Sequence, residues 1–321
     1  MSDKFAVDYA GAEIQFRDVD NSYAARLVID ANSRISLSNN DLGTSNTVFG
    51  YTAGNALVSG GAYNVLIGHE SGLLLGHSTS DANVAVGYNA MKSAGTASAN
   101  TAYHNTAIGT DALGQITTGI ENVCLGSSAG YGLTTANKVV FIGRQAGDAV
   151  TTTGGSNVSD GTVGIGYQAL TALTSGASNT AVGYGALKTE DTNSENTAIG
   201  FEALMVNNGA DGNTALGYRA GYDVTTGGGN ALIGAEAGAN VVGGADNVMI
   251  GKGAGATTTA GVNMTIVGRS AGAGAGSGAG AGAGSGNESG AGSGAGSGAG
   301  GAGGGGGAGT VSTGGQGGGT G

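Results

Sequence analysis

Three histidines, one cysteine and scattered carboxylates are all this 321-residue chain offers for catalysis or metal binding. His69, His77 and His104 lack the spacing of metal ligands, and none is placed to serve Cys124 as a base. Asp160, Asp191, Asp211 and Asp246 stand in variable segments, as a solvated face does, and the glycine–aspartate nonapeptide of calcium-binding β-rolls is absent. Glycine-rich stretches imitate phosphate loops, yet none follows a strand and opens a helix. The expectation is a protein with no catalytic residues, no cofactor and no metal. What remains is a row of rings, Tyr167, Tyr184, Phe201 and Tyr218, at a constant spacing of 17 residues, and an isolated pair, Tyr103 and His104. Stacked rings with polar tips suit a sugar surface, which makes these six candidate ligand contacts. Ring-on-ring packing over a corner explains the row more simply, because Arg144, Ala235 and Lys252 take the same position without breaking the pattern.

The element that positions the rings is a repeat. Asn179-Thr180-Ala181-Val182-Gly183-Tyr184 returns as Asn196-Thr197-Ala198-Ile199-Gly200-Phe201, and 13 copies are anchored on glycines from Gly50 to Gly268. The last six intervals are all 17 residues. Self-similarity at this period marks a solenoid, so the expected fold is an all-β parallel β-solenoid, or β-roll, with one coil per repeat. The residue before each glycine is large and apolar, and two residues earlier almost always stands Thr or Val, types that suit a strand. These two share a face, and the residue between them points the other way. Leu66, Cys124, Phe141, Ala181 and Ala198 hold that middle position, as do Ala215, Leu232, Met249 and Ile266. A strand apolar on both faces is buried on both. The expectation is that Thr and Ile fill the coil while the middle residue packs against neighbouring chains, so self-association is required. A flat Thr face for ice binding is disfavoured on the same ground, since it would point inward. Ala occupies the third place after the glycine in 12 of 13 copies, as a cramped interior demands. Asn stands four before the glycine in ten copies, which fits a stacked amide ladder and turn chemistry equally well.

Composition agrees with a thin coil. The chain has 71 glycines, no proline, no tryptophan and a net charge of −11. Its acidic balance argues against nucleic-acid binding, and no apolar run is long enough for membrane insertion. The first eight residues hold no apolar signal core, so synthesis in a cytoplasm without an ordinary secretion signal is expected.

Three regions follow. Residues 1–41 carry 11 of the 33 charged residues and read as short strands, at 13–17, 26–30 and 34–38, that either dock to a larger assembly or cap the first coil. Residues 42–272 are the array, with longer intervals before Gly109 and Gly166 that read as outward loops or as drift. Residues 273–321 are a Gly/Ala/Ser-rich tail, with period two like silk and the composition of a linker.

The Asn-Thr-Ala-Ile/Val-Gly-x-x-Ala-Leu unit resembles the repeats of phage tail fibres and other virion proteins. It is similar, more loosely, to the head repeats of trimeric autotransporter adhesins. Arg26-Leu27-Val28-Ile29-Asp30 followed by Arg34-Ile35-Ser36-Leu37 looks like a segment that precedes such arrays in phage fibres. The resemblance spans residues 26–272 and implies a homotrimeric β-roll of a virion, outside the cell. Its partners would be a baseplate or fibre protein at the N-terminus and a host-surface glycan or protein. The self-cleaving chaperone domain of many such fibres is missing, and the tail lies outside the resemblance. A purely mechanical filament or spacer subunit is the rival reading. A bacterial trimeric adhesin ranks lower, because neither a signal sequence nor a membrane barrel is seen.

Overall fold

The computed structural model describes residues 45–150, 160–207 and 209–272 in full. Of the rest it describes the backbone of five short strands only: β1 (Val7–Asp8), β2 (Ile14–Arg17), β3 (Ala25–Ile29), β4 (Ile35–Ser36) and β18 (Gly282–Ala283). The first four form an antiparallel sheet in sequence order. The second long insertion, around 154–160, falls almost wholly outside the described residues, as does nearly all of the tail.

The array is a parallel β-solenoid. Thirteen three-residue strands, from β5 (Thr47–Phe49) to β17 (Thr265–Val267), pair parallel in unbroken succession. Each pairs in register with the next, for example Thr180↔Thr197, Ala181↔Ala198 and Val182↔Ile199. At the usual strand spacing thirteen coils extend about 60 Å. After each strand a glycine turns the corner. At Gly200 φ is +141°, and a Cβ there would run into the Gly217 carbonyl of the next coil. The far wall is laddered as well: Leu187 N–H donates to Ala203 O at 3.0 Å and Thr189 N–H to Met205 O at 3.1 Å. The only helical turn among the described residues is a 3-10 turn at Ala97–Ala99, inside the first long interval. Asn100 folds that insertion back by donating from Nδ2 to Leu74 O.

Strand orientation is the reverse of the expectation. The middle residue fills the interior of its own coil, and the flanking Thr/Val and Ile/Val/Leu look outward, in the pattern half-buried, buried, exposed at Thr197–Ile199. Leu66, Cys124, Phe141, Ala181 and Ala198 are fully buried within the single chain. So are Ala215, Leu232 and Met249, and Ile266 nearly so. None of these nine can therefore pack against another chain. Burial also pushes the Cys124 thiol well above its ordinary range, which leaves an inert core residue.

The physical reason lies across the coil, at the position four after the glycine. Where the strand's middle residue is large, that position is glycine: Phe141 with Gly147, Leu232 with Gly238, Met249 with Gly255. Where the middle residue is alanine or glycine, a long side chain reaches in from the far wall, Ala215 with Gly221 excepted: Leu170 opposite Gly164, Leu187 opposite Ala181, Leu204 opposite Ala198. The two positions share one volume, and close packing fills it once. A Cβ on Gly147 would sit 2.5 Å from the Phe141 ring.

The buried asparagines form the amide ladder, one of the two alternatives that the spacing allows. Asn83 Nδ2 donates to Asn64 Oδ1 at 3.0 Å, and Asn122 Nδ2 to Asn105 Oδ1 at 2.9 Å. Farther along, Asn247 Nδ2 donates to Asn230 Oδ1 at 2.9 Å. Such an Oδ1 also accepts the backbone N–H of the next asparagine, as Asn179 Oδ1 does from Asn196 N at 2.9 Å. Most of these polar groups are thereby satisfied inside the coil, with Asn213 Nδ2 the exception among the ladder asparagines; an unmade hydrogen bond there is costly.

Candidate functional site

Two surfaces stand out: one runs the length of the rod, and the other is confined to two groups of coils. The first is the outward strand face, made of two columns. One holds Thr or Val, with Ala231 the exception; the other is Ile, Val or Leu with Phe49 at its start. No charged side chain occupies either column. In the second column exposure reaches 45% at Leu216 and 56% at Phe49. The hydroxyls of Thr180, Thr197 and Thr214 also point outward and find no hydrogen-bond partner among the described residues. With columns about 7 Å apart and rungs about 4.8 Å apart, the face is a regular, uncharged strip of several hundred square ångströms. Exposed apolar patches of that size mark interaction sites.

The second surface is the ring column beyond the glycine corner. Tyr167, Tyr184, Phe201 and Tyr218 stack with centroids 5.2, 5.0 and 5.5 Å apart and planes within 17°. Each inner ring spends both faces on its neighbours, so a sugar has no face to lie on between them; the outer face of Tyr218, ring edges and hydroxyl tips remain. Arg144 covers the first ring, with Nη1 donating to Tyr167 Oη at 3.2 Å and its guanidinium carbon 5.8 Å from the ring centroid. A second run, Tyr51, His69 and Tyr88, occupies the same column near the start of the array, tilted rather than stacked. Tyr103 and His104 meet edge to face at 5.0 Å. They precede their strand rather than follow it, three coils from Tyr167, so the structure does not bring them to the ring row. The chain matches no family model, no curated protein and no solved structure.

Two features escape inspection of single repeats. One is Glu190, at the seventh place after its glycine, where other coils carry Leu173, Val224 or Val241. It is fully buried and accepts a hydrogen bond from Asn193 N at 2.8 Å, with Asn196 Nδ2 3.4 Å from its other oxygen. Burial is the main cause that pushes its carboxyl up to about 7, helped by the charges of Asp211 and Asp191 and opposed by Asn193. Close by in sequence, Asn193 Nδ2 and Asn207 Oδ1 are buried without a hydrogen-bond partner. The other feature is a notch of about 240 Å³ beside Tyr222, where the coil surface steps down to Ala239 and Ala256. The step is readable in the fifth place after successive glycines, which runs Tyr222, Ala239, Ala256.

Proposed function

We propose that the chain is a structural fibre protein of a phage virion, a tail fibre or adhesin, which assembles as a parallel homotrimer and attaches to the host cell surface. The observation that supports it best is the outward strand face, a charge-free apolar strip running the whole rod and left to water by a single chain. Burying a side chain the size of Leu is worth about 1.5–3 kcal/mol, and Leu216, Ile199, Ile233 and Ile250 line up there in a row. A second copy of the same chain repeats at the same pitch, so its side chains meet this strip rung for rung. The number three and the place on a virion come from the resemblance of the repeats. Residues 1–41 are then the segment that docks to a baseplate or fibre protein, and a host glycan or protein is the target. Gold-labelled antibody against the array, applied to negatively stained virions, tests the role: label on fibres supports it, and label only on filaments free of virions favours the mechanical rival. Sedimentation of the full chain tests assembly, since a soluble monomer at micromolar concentration overturns the trimer.

The outward threonines favour a second reading. A flat, regular face of Thr, Val and Ile suits ordered water, and the argument against ice binding fails once Thr points outward. Ice-crystal shaping and a gap between melting and freezing points, measured on the full chain, separate it from assembly through the same face.

A further inference from the structure

The notch beside Tyr222 offers a recess, a flat wall and unengaged polar groups together. We propose that it is a carbohydrate subsite that takes one neutral sugar residue of a surface glycan; this deepens the attachment reading above and rests on it. The flat wall is Tyr222 with the Arg219 guanidinium lying over its ring, 3.9 Å from the centroid. That arrangement holds two planar groups as one plate, with Arg219 Nε also 3.3 Å from Glu202 Oε2. The floor is made by the methyl groups of Ala239 and Ala256. Around it stand Asp223, Glu236 and Asn240. Neither Asp223 nor Glu236 has an ion pair among the described residues. Asn240 donates from Nδ2 to Ala256 O, which leaves its Oδ1 free to accept.

The chemistry selects the ligand. Two carboxylates and an amide oxygen accept hydrogen bonds, and Arg219 donates them, which suits the vicinal hydroxyls of a sugar. With Arg219 already engaged by Glu202, the remaining charge is negative, so acidic sugars and phosphates are repelled. The volume lies just below that of pockets for drug-sized ligands, which run from about 300 Å³, and suits a single ring. The Arg219–Tyr222 plate and the alanine floor supply the flat, apolar contact that the inner rings Tyr184 and Phe201 cannot, because there both faces are taken.

The test uses the full chain and saturation-transfer NMR with methyl glycosides of glucose, galactose and N-acetylglucosamine. N-acetylneuraminic acid and glucosamine serve as the acidic and cationic controls. Ala239→Tyr continues the tyrosine column and fills the notch with a residue that the same place already accepts at Tyr131 and Tyr222. The expected result is a signal from at least one neutral glycoside, lost or weakened more than tenfold by Ala239→Tyr and by Tyr222→Ala. The thermal melt of Ala239→Tyr should match that of the parent. No signal from any neutral glycoside, a signal indifferent to Ala239→Tyr, or binding confined to either charged control each overturns the subsite. The fibre reading fails separately: antibody that never labels virions sinks it while an Ala239→Tyr-sensitive sugar signal leaves the subsite standing.

Discussion

The coils anchored on Gly166, Gly183 and Gly200 and those anchored on Gly234, Gly251 and Gly268 fill the same interior in opposite ways. In the first group the strand contributes Gly164, Ala181 and Ala198, and the far wall contributes Leu170, Leu187 and Leu204. In the second the strand contributes Leu232, Met249 and Ile266, and the far wall is glycine. What stays constant from coil to coil is therefore the filled volume rather than the residue at any one place. The junction between the groups makes the rule sharper. At Gly217 both places are small, Ala215 and Gly221, because Leu204 and Leu232 reach in from either side. A Cβ on Gly221 would lie 2.7 Å from Leu232 and 2.8 Å from Leu204. A large middle residue thus needs glycine on its own coil and on the coil before it.

The largest effect expected from breaking this comparison is Ala198→Asp. The side chain enters a closed interior with no cation beside it, and an uncompensated buried charge costs on the order of 3–5 kcal/mol. Circular dichroism should show the array melting far lower, at every protein concentration. A variant that melts like the parent yet fails to associate would restore the inter-chain placement of Ala198.

Next comes a transposition. Leu204→Gly alone opens a cavity and should cost about 2–5 kcal/mol, and Ala215→Leu alone overpacks by about 1–3 kcal/mol. Combined, they place the introduced leucine between two glycines, the new one and Gly221, and move the junction one coil toward the N-terminus. The pair should recover most of the loss, with a coupling of at least about 1 kcal/mol in a double-mutant cycle from denaturant melts. Additive losses would mean that the two places do not share one volume.

That shared volume also explains what the sequence reveals and what it conceals. The 17-residue period and the corner glycines make the parallel coil legible, and the asparagine spacing allows the amide ladder without choosing it over a turn. Strand orientation reads the wrong way round because Ala198 and Ile199 are both apolar, and hydrophobicity alone cannot say which of two apolar faces is inside. The deciding signal is present as anti-correlated size, Phe141 with Gly147 against Ala181 with Leu187, but it spans six residues and shows only when coils are compared. The outward direction of Thr197 and Ile199 then follows by alternation. The notch at Ala239 stays hidden for a similar reason: it is a difference between successive coils, and a repeat consensus averages it away. Ring stacking from Tyr167 to Tyr218 is legible from spacing, whereas the loss of open ring faces requires the planes themselves.

Glu190 sharpens the comparison from the polar side, since it takes a place filled elsewhere by Leu173 or Val224. Its folded carboxyl titrates near 7, above the ordinary value of 4.5 expected on unfolding. Between those values the folded chain binds more protons than the unfolded one. Stability is therefore full below about pH 4.5 and falls as pH rises through 7, by on the order of 3 kcal/mol once ionisation is complete. Melts at pH 5 and pH 8 should differ accordingly, beyond the background of the other carboxylates. Glu190→Leu should be more stable at pH 8 and lose that part of the pH dependence. An unchanged difference in the variant would show that Glu190 is not its source.

The smallest effect concerns the outside of the coils. Phe201→Ala removes a ring stacked on both sides, 5.0 Å from Tyr184 and 5.5 Å from Tyr218. Each aromatic pair is worth about 0.5–1.5 kcal/mol beyond its buried area, so the variant should lose roughly 1–3 kcal/mol and stay folded. It also opens a slot of one ring's thickness between two tyrosines. If the column is only packing, as the closed faces indicate, sugar binding by the full chain should not change, and the loss should appear in the melt alone. If a neutral glycoside gains affinity for Phe201→Ala and keeps it in Ala239→Tyr, then an open ring face is sufficient for recognition anywhere on the rod. The notch beside Tyr222 would then be special only because the natural sequence leaves a flat wall uncovered there.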